Sequence, residues 1–161
     1  MMALRHRTVA RDTLSLLRRL LVGLFLLGLM GLGTELVMLE HYEEAWMIVP
    51  LVAMALSLVA ALTLLAAASA RRVWAFRVLA TTLIALGAIG MSLHFRGSME
   101  FQLDMDPTMT RSQLFWKVLH MKAPPTLAPG ALIQLGLLGL VATYRHPALG
   151  RSASSLIGDQ S

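Results

Sequence analysis

The chain has 161 residues, of which 57% are hydrophobic and 14% are charged, and its formal net charge is +5. Soluble domains carry about 25% charged residues, so this composition excludes an ordinary water-soluble domain. The chain contains no cysteine, which excludes disulfides, thiolate catalysis and cysteine-ligated zinc, iron–sulfur or haem groups within it.

Four stretches lack Asp, Glu, Lys and Arg, and they cover residues 20–34, 45–70, 78–95 and 123–144. A helix that crosses roughly 30 Å of hydrocarbon needs about 20 mostly apolar residues, and the first stretch reaches that length if it continues through Glu35. The pattern predicts an all-α integral membrane fold in a single domain over residues 1–161. Its core is an antiparallel bundle of four transmembrane helices, with spans at about 20–39, 46–70, 74–94 and 127–144.

Basic residues separate strongly between the two predicted sides of the membrane. Ten lie before the first span, between the second and third or in the first turn of the third, or after the fourth, whereas only four lie on the other side. The positive-inside rule therefore predicts cytoplasmic tails at 1–19 and 145–161 and an outer loop at 95–126. Short loops and this composition favour a bacterial inner membrane, where the loop is periplasmic. Anionic lipid, rather than nucleic acid, is the expected partner of the basic side.

The outer loop carries two apolar patterns that a simple connection would not need. Apolar and polar residues alternate from Ser98 to Asp106, which predicts a half-buried strand. Residues 110–121 have helical apolar spacing, which predicts a short helix lying in the membrane interface. An unpaired strand and an apolar helix face both favour binding of a partner protein. The candidate partner-binding side chains in this loop are Phe101, Leu103, Phe115 and Trp116.

The second span carries Ala53, Ser57 and Ala61 at four-residue intervals. Small residues at this spacing let another helix backbone approach closely in a membrane. This stripe predicts a tight helix contact and is the candidate partner-binding surface within the membrane.

Two polar residues lie in the predicted outer half of their spans, Glu35 in the first and Gln134 in the fourth. A carboxylate inside the edge of the hydrocarbon is costly and is expected to face protein or water. Both are therefore candidates for buried polar groups. Glu35 has two interpretations, a proton or cation site or a hydrogen bond to a neighbouring helix or loop.

Topology brings His41, His94 and His120 to the predicted outer side, together with several acidic and methionine residues. Histidine and carboxylate suit zinc, iron or copper(II), so these three histidines are weak candidate metal ligands. Their spacing matches no specific ligand motif. A haem at the outer surface, or a quinone near Glu35, His41 and Trp46, is an alternative that the sequence leaves open.

The chain contains no recognisable nucleophile, phosphate-binding or zinc-hydrolase motif, which favours a non-catalytic protein without excluding an unfamiliar enzyme. Three hypotheses follow. The first is a subunit or assembly factor of a larger membrane complex, with other integral membrane subunits as partners. The second is a metal- or redox-cofactor-binding membrane protein. The third is a small transporter or channel element that is completed by formation of a homo-oligomer.

Overall fold

The computed structural model describes residues 2–121 and 127–150, with side chains described from Asp12 onward. Within these ranges the chain is helical and contains no strand. The principal elements are α1 (Met2–Met38), α2 (Ile48–Ala66), α3 (Ala70–Met105), α4 (Arg111–Leu119) and α5 (Leu127–Ala142).

The prediction of a strand from Ser98 to Asp106 is wrong, because α3 continues without a break to Met105. Extending an existing helix adds one hydrogen bond per residue without a new nucleation cost, whereas a lone strand leaves its backbone groups unpaired. Local contacts also favour the helix. Arg96 and Glu100 form an i,i+4 ion pair of 2.8 Å, and Gln102 is buried. The apolar and polar residues that alternate in sequence therefore lie around a helix.

Asp106 ends α3 and turns the chain back toward it. Its carboxylate accepts hydrogen bonds from the backbone N–H and the hydroxyl of Thr108, at 3.1 and 2.6 Å. The short helix predicted at 110–121 is present as α4. Thr110 and Gln113 cap it reciprocally, and α4 buries Leu114 and Val118 as it packs along α3.

Glu40, whose backbone adopts the left-handed conformation, follows α1 and starts the connection to α2. The N–H of His41 bonds to the carbonyl of Leu36 at 2.9 Å, and the N–H of Glu40 bonds to that of Val37 at 3.0 Å. This is the Schellman pattern, in which glycine usually takes the position that Glu40 occupies at φ 54°. The motif places His41 directly over the last turns of α1.

Replacing Glu40 with glycine is therefore expected to stabilise the protein. The backbone there is strained for a residue with a Cβ, so Glu40→Gly removes a cost of about 1 kcal/mol. The measurement is the thermal melting temperature in mild detergent, with Glu43→Gly in the same connection as the control. A lower melting temperature for Glu40→Gly than for the control would contradict this account of the turn.

Four helices pack side by side, with α1 against α2, α2 against α3, α3 against α5 and α5 against α1. The rings of Phe25 and Phe76 meet edge to face at 5.0 Å in the centre, and both side chains are fully buried. Glycines bring α3 and α5 together. A Cβ built on Gly87 would lie 2.6 Å from the carbonyl oxygen of Pro129, and one on Gly136 would collide with the carbonyl oxygen of Ala80.

Three helical segments, Asp12–Met38, Ile48–Ala66 and Ala70–Met105, are long and apolar enough to cross a membrane. At most 28% of the most apolar part of each is buried inside the chain, so most of the apolar surface needs another cover. Helix α3 is about 54 Å long, which exceeds the roughly 30 Å of hydrocarbon, so one of its ends projects. Helix α5 is apolar and shorter, with 16 residues.

The packing has two distinct ends. We call one the α4 end, where the 39–47 connection, the last turns of α3, helix α4 and the start of α5 lie. At the opposite end, residues 67–69 connect α2 to α3, with Ser69 capping α3 by accepting from the N–H of Arg72. The guanidinium of Arg18 there donates to the carbonyl oxygens of Tyr144 and Arg145, at 3.4 and 3.3 Å, which satisfies carbonyls left open beyond α5.

Candidate functional site

Two of the three candidate histidines meet at the α4 end. His41 follows α1 and His94 lies in the C-terminal half of α3, and their rings stack with centroids 6.2 Å apart and planes 30° apart. His120 lies elsewhere, after α4, where its Nδ1 is 2.8 Å from the carbonyl oxygen of Trp116. In the described ranges no group of three His, Asp or Glu side chains is placed to hold a metal ion.

An apolar pocket of about 310 Å³ opens beside the histidine pair. Residues from the end of α1, the start of α2, the middle of α3 and the start of α5 line it, including Leu36, Pro50, Leu86, Gly90 and Leu132. Its lining is apolar except at the end formed by the two imidazoles and the ring of Trp46. We call this the histidine pocket. It combines an apolar body with a small polar end, which is the usual composition of a small-molecule site.

The polar end of the histidine pocket is held in a defined geometry. The indole N–H of Trp46 donates to the carboxylate of Glu44, which fixes the plane of the indole. The rings of His41 and Trp46 meet edge to face, with centroids 6.3 Å apart and planes at 80°. The ring nitrogens of His41 and His94 make no hydrogen bond to the described part of the chain, so both can bond to a ligand.

His41 lies in an environment that favours its neutral form. Its partial burial, and secondarily the proximity of His94, lower the pKa of His41 from the ordinary histidine value of 6.5. A neutral imidazole offers one N–H donor and one nitrogen acceptor. The pocket therefore presents hydrogen-bonding capacity from this residue without a positive charge.

A wider groove of about 700 Å³ adjoins the pocket and shares Trp46, Leu93 and His94 with it. Arg96, Glu100, Phe101 and Met121 line the rest of its length. The guanidinium of Arg96 is already bonded to the carboxylate of Glu100, so the groove adds little net charge to the site.

The predicted partner-binding side chains of the loop are exposed: Phe101 by 58%, Leu103 by 37%, Phe115 by 44% and Trp116 by 59%. Aromatic rings form a continuous row across α3 and α4. Phe95 contacts Phe115 at 5.7 Å, and Phe115 contacts Trp116 at 5.6 Å. This row leaves an apolar surface at the α4 end that faces away from the chain.

The stripe on the second span lies inside the chain. Ser57 and Ala61 are fully buried and Ala53 is nearly so, where α2 packs against α1 and α3. The Ser57 hydroxyl donates to the carbonyl oxygen of Ala53 at 2.7 Å. The chain's own helices thus occupy this surface, and no part of it is free for a partner.

The two polar candidates in the spans are exposed, although burial was predicted for both. The carboxylate of Glu35 makes no hydrogen bond or ion pair with the described part of the chain, and it is not bonded to Gln134. Glu35 lies on the outward side of α1, one turn from Gly31. A Cβ on Gly31 would meet open space. We call this surface, with Leu24, Leu27 and Met38, the outward face of α1.

Sequence reasoning missed most of the histidine pocket. Gly90, Leu86 and Leu132 carry no motif and read as ordinary span residues. The available signal was the position of His41 and His94 at the ends of neighbouring spans, together with Trp46. A search of family models found no match for the chain, and neither did a search of curated proteins or one of solved structures.

Proposed function

We propose that the chain is a four-span inner-membrane protein that acts as a non-catalytic subunit or assembly factor. It binds a helix of another integral membrane protein on the outward face of α1. The observation that carries the proposal is Glu35, a carboxylate that the chain leaves exposed one turn inside the end of an apolar helix.

A carboxylate within a span is expensive to expose to hydrocarbon, and such groups normally face protein or water. Within the part of the chain that the structure describes, the carboxylate of Glu35 has no hydrogen-bond or ion-pair partner. A helix that carries a hydrogen-bond donor at the same depth would satisfy the carboxylate. Gly31 supports this occupant, because a glycine with open space above it allows close approach of another helix.

In this proposal the chain crosses the membrane four times, both termini are cytoplasmic, and the partner helix lies beside α1. Three helices have sufficient length, and α5 covers about 24 Å, which the turn at residues 143–145 extends. The close contact of α5 with α3 at Gly87 and Gly136 favours a crossing alongside α3. The distribution of basic residues favours an outer position for the α4 end, where the exposed aromatic row would extend the same interface.

The test is site-specific photo-crosslinking in native membranes. A photoreactive residue at Leu27, which is 68% exposed, is expected to form a discrete adduct with another membrane protein. The adduct should be lost when Glu35 is replaced by Leu, whereas melting of the purified protein should not fall, because a costly exposed charge has been removed. Thr63→Leu, an exposed polar residue on α2, should leave the adduct intact.

Three results decide the matter. An adduct that survives Glu35→Leu, or no adduct at Leu27, would overturn the proposal. An adduct of twice the chain mass would instead identify a second copy and favour an oligomeric transporter element. A photoreactive residue at the exposed Leu62 on α2 serves as the positional control, and we expect no discrete adduct there.

A further inference from the structure

The histidine pocket has the form of a ligand site that is independent of the outward face of α1. We propose that it binds a quinone, a neutral planar ring carrying carbonyl groups and an apolar tail, drawn from the membrane. The size, lining and polar end of the pocket carry this inference, each for a separate reason.

The size of the pocket fits one substituted ring. Its volume of about 310 Å³ lies at the lower end of the range of small-molecule sites, which is roughly 300 to 1,000 Å³. Leu36, Leu86, Ile89 and Leu132 form apolar walls. Gly90 adds no side chain to the wall next to Pro129, where a Cβ would be in ordinary van der Waals contact with the proline ring at 3.6 Å and a larger side chain would reduce the space. A volume of this size holds one substituted ring and is too small for two acyl chains.

The polar end selects the head of the ligand. The ring nitrogens of His41 and His94 make no bond to the described chain, and a neutral imidazole can donate its N–H to a carbonyl oxygen. Burial keeps the pKa of His41 below its ordinary value, which disfavours an anionic head such as a phosphate or a carboxylate. Arg96, in the adjoining groove, is paired with Glu100, so it does not make an anionic head more favourable.

The groups at this end are preorganised. The turn at Glu40, whose backbone lies in the left-handed region, fixes His41 over Leu36. The carboxylate of Glu44 fixes the indole of Trp46. A ring placed against an aromatic wall and bonded to one imidazole needs little rearrangement of the protein. Ordering costs are therefore low, which favours binding of a small ligand.

The position of the pocket suits an amphiphile. Trp46 is typical of the interface between membrane and water, and it lines the pocket, which also contacts α1, α2, α3 and α5. The head would lie at the interface, while the tail follows the apolar walls toward the hydrocarbon. Binding alone is proposed, and no electron transfer is assigned to the chain.

The experiment uses the intact protein in detergent with Trp74 and Trp116 replaced by Phe, so that Trp46 is the only tryptophan. Decylubiquinone should quench Trp46 fluorescence in a saturable manner and raise the melting temperature. His41→Leu and Gly90→Leu should each weaken binding about tenfold or more, since a tenfold change corresponds to about 1.4 kcal/mol. His120→Leu should bind as the parent does, and melting in the absence of ligand shows that each variant is folded.

Competition binding experiments distinguish a quinone from the other amphiphiles of the membrane, fatty acids and phospholipids. Lauric acid and a short-chain phosphatidylglycerol are expected to displace the quinone only weakly. Quenching that rises linearly without saturation, or that is equal in the His41→Leu and parent proteins, would overturn the proposal. Displacement by the fatty acid or the phospholipid at lower concentration than the quinone itself would also overturn it and would identify a lipid site.

Discussion

Gly87→Ala and Gly136→Ala are each expected to destabilise the protein by about 1 to 3 kcal/mol, although each adds only one methyl group. The added Cβ would meet the carbonyl oxygen of Pro129 or of Ala80, and backbone atoms cannot move aside as a flexible side chain can. Helices α3 and α5 would have to separate. In a membrane their association depends on close packing, because the lipid is as apolar as the side chains.

Two matched controls separate packing from helix propensity. Gly97 lies in α3 and Gly130 in α5, and a Cβ on either meets nothing within 4 Å. Gly97→Ala and Gly130→Ala are therefore expected to leave stability unchanged or to raise it by up to about 1 kcal/mol. The measurement is unfolding in mild detergent by circular dichroism. Equal effects at all four glycines would contradict the close contact between α3 and α5.

Ser57→Leu is the second change with a large expected effect, a loss of about 1 to 3 kcal/mol. Ser57 is fully buried where α2 packs against its neighbours, so the larger side chain has no free space. Thr63→Leu on the exposed side of the same helix is the control. The readout is the melting temperature together with the elution volume of the purified protein.

The two interpretations of the stripe give different results in this experiment. Contact within the chain predicts that Ser57→Leu lowers the melting temperature even when the protein is an isolated monomer. If the monomer keeps its melting temperature while association with a partner is lost, the stripe belongs to an intermolecular surface and the described packing of α2 is incorrect.

The apolar helices were predictable because charge-free stretches of sufficient length have few alternatives once the composition excludes a soluble domain. Helix α4 was predictable from its apolar spacing and from Thr110, which caps it. The C-terminal end of α3 was not predictable from the sequence. Alternation over nine residues can be read as a strand, and only tertiary context shows that the preceding helix continues through it, with Gln102 buried.

The candidate site was predictable only as a collection of residue types at one end of the molecule. Sequence placed His41, His94 and His120 on one side, yet it could not distinguish the stacked pair from the separate third histidine. Which side of α1 carries Glu35 depends on how the helix is rotated against α2 and α5. Composition does not determine this rotation, which is set by contacts such as that between Gly28 and Leu135.

Four crossings of the membrane are the central claim, and single-cysteine labelling with an impermeant thiol reagent tests it most directly. The chain contains no cysteine of its own, so one residue can be introduced at a time. Thr108→Cys at the α4 end should be labelled from outside intact cells. Ser69→Cys, between α2 and α3, and Ala148→Cys, beyond α5, should be labelled only after the membrane is permeabilised. Labelling of Ala148→Cys from outside, together with Thr108→Cys, would contradict the account, because α5 would then not cross the membrane.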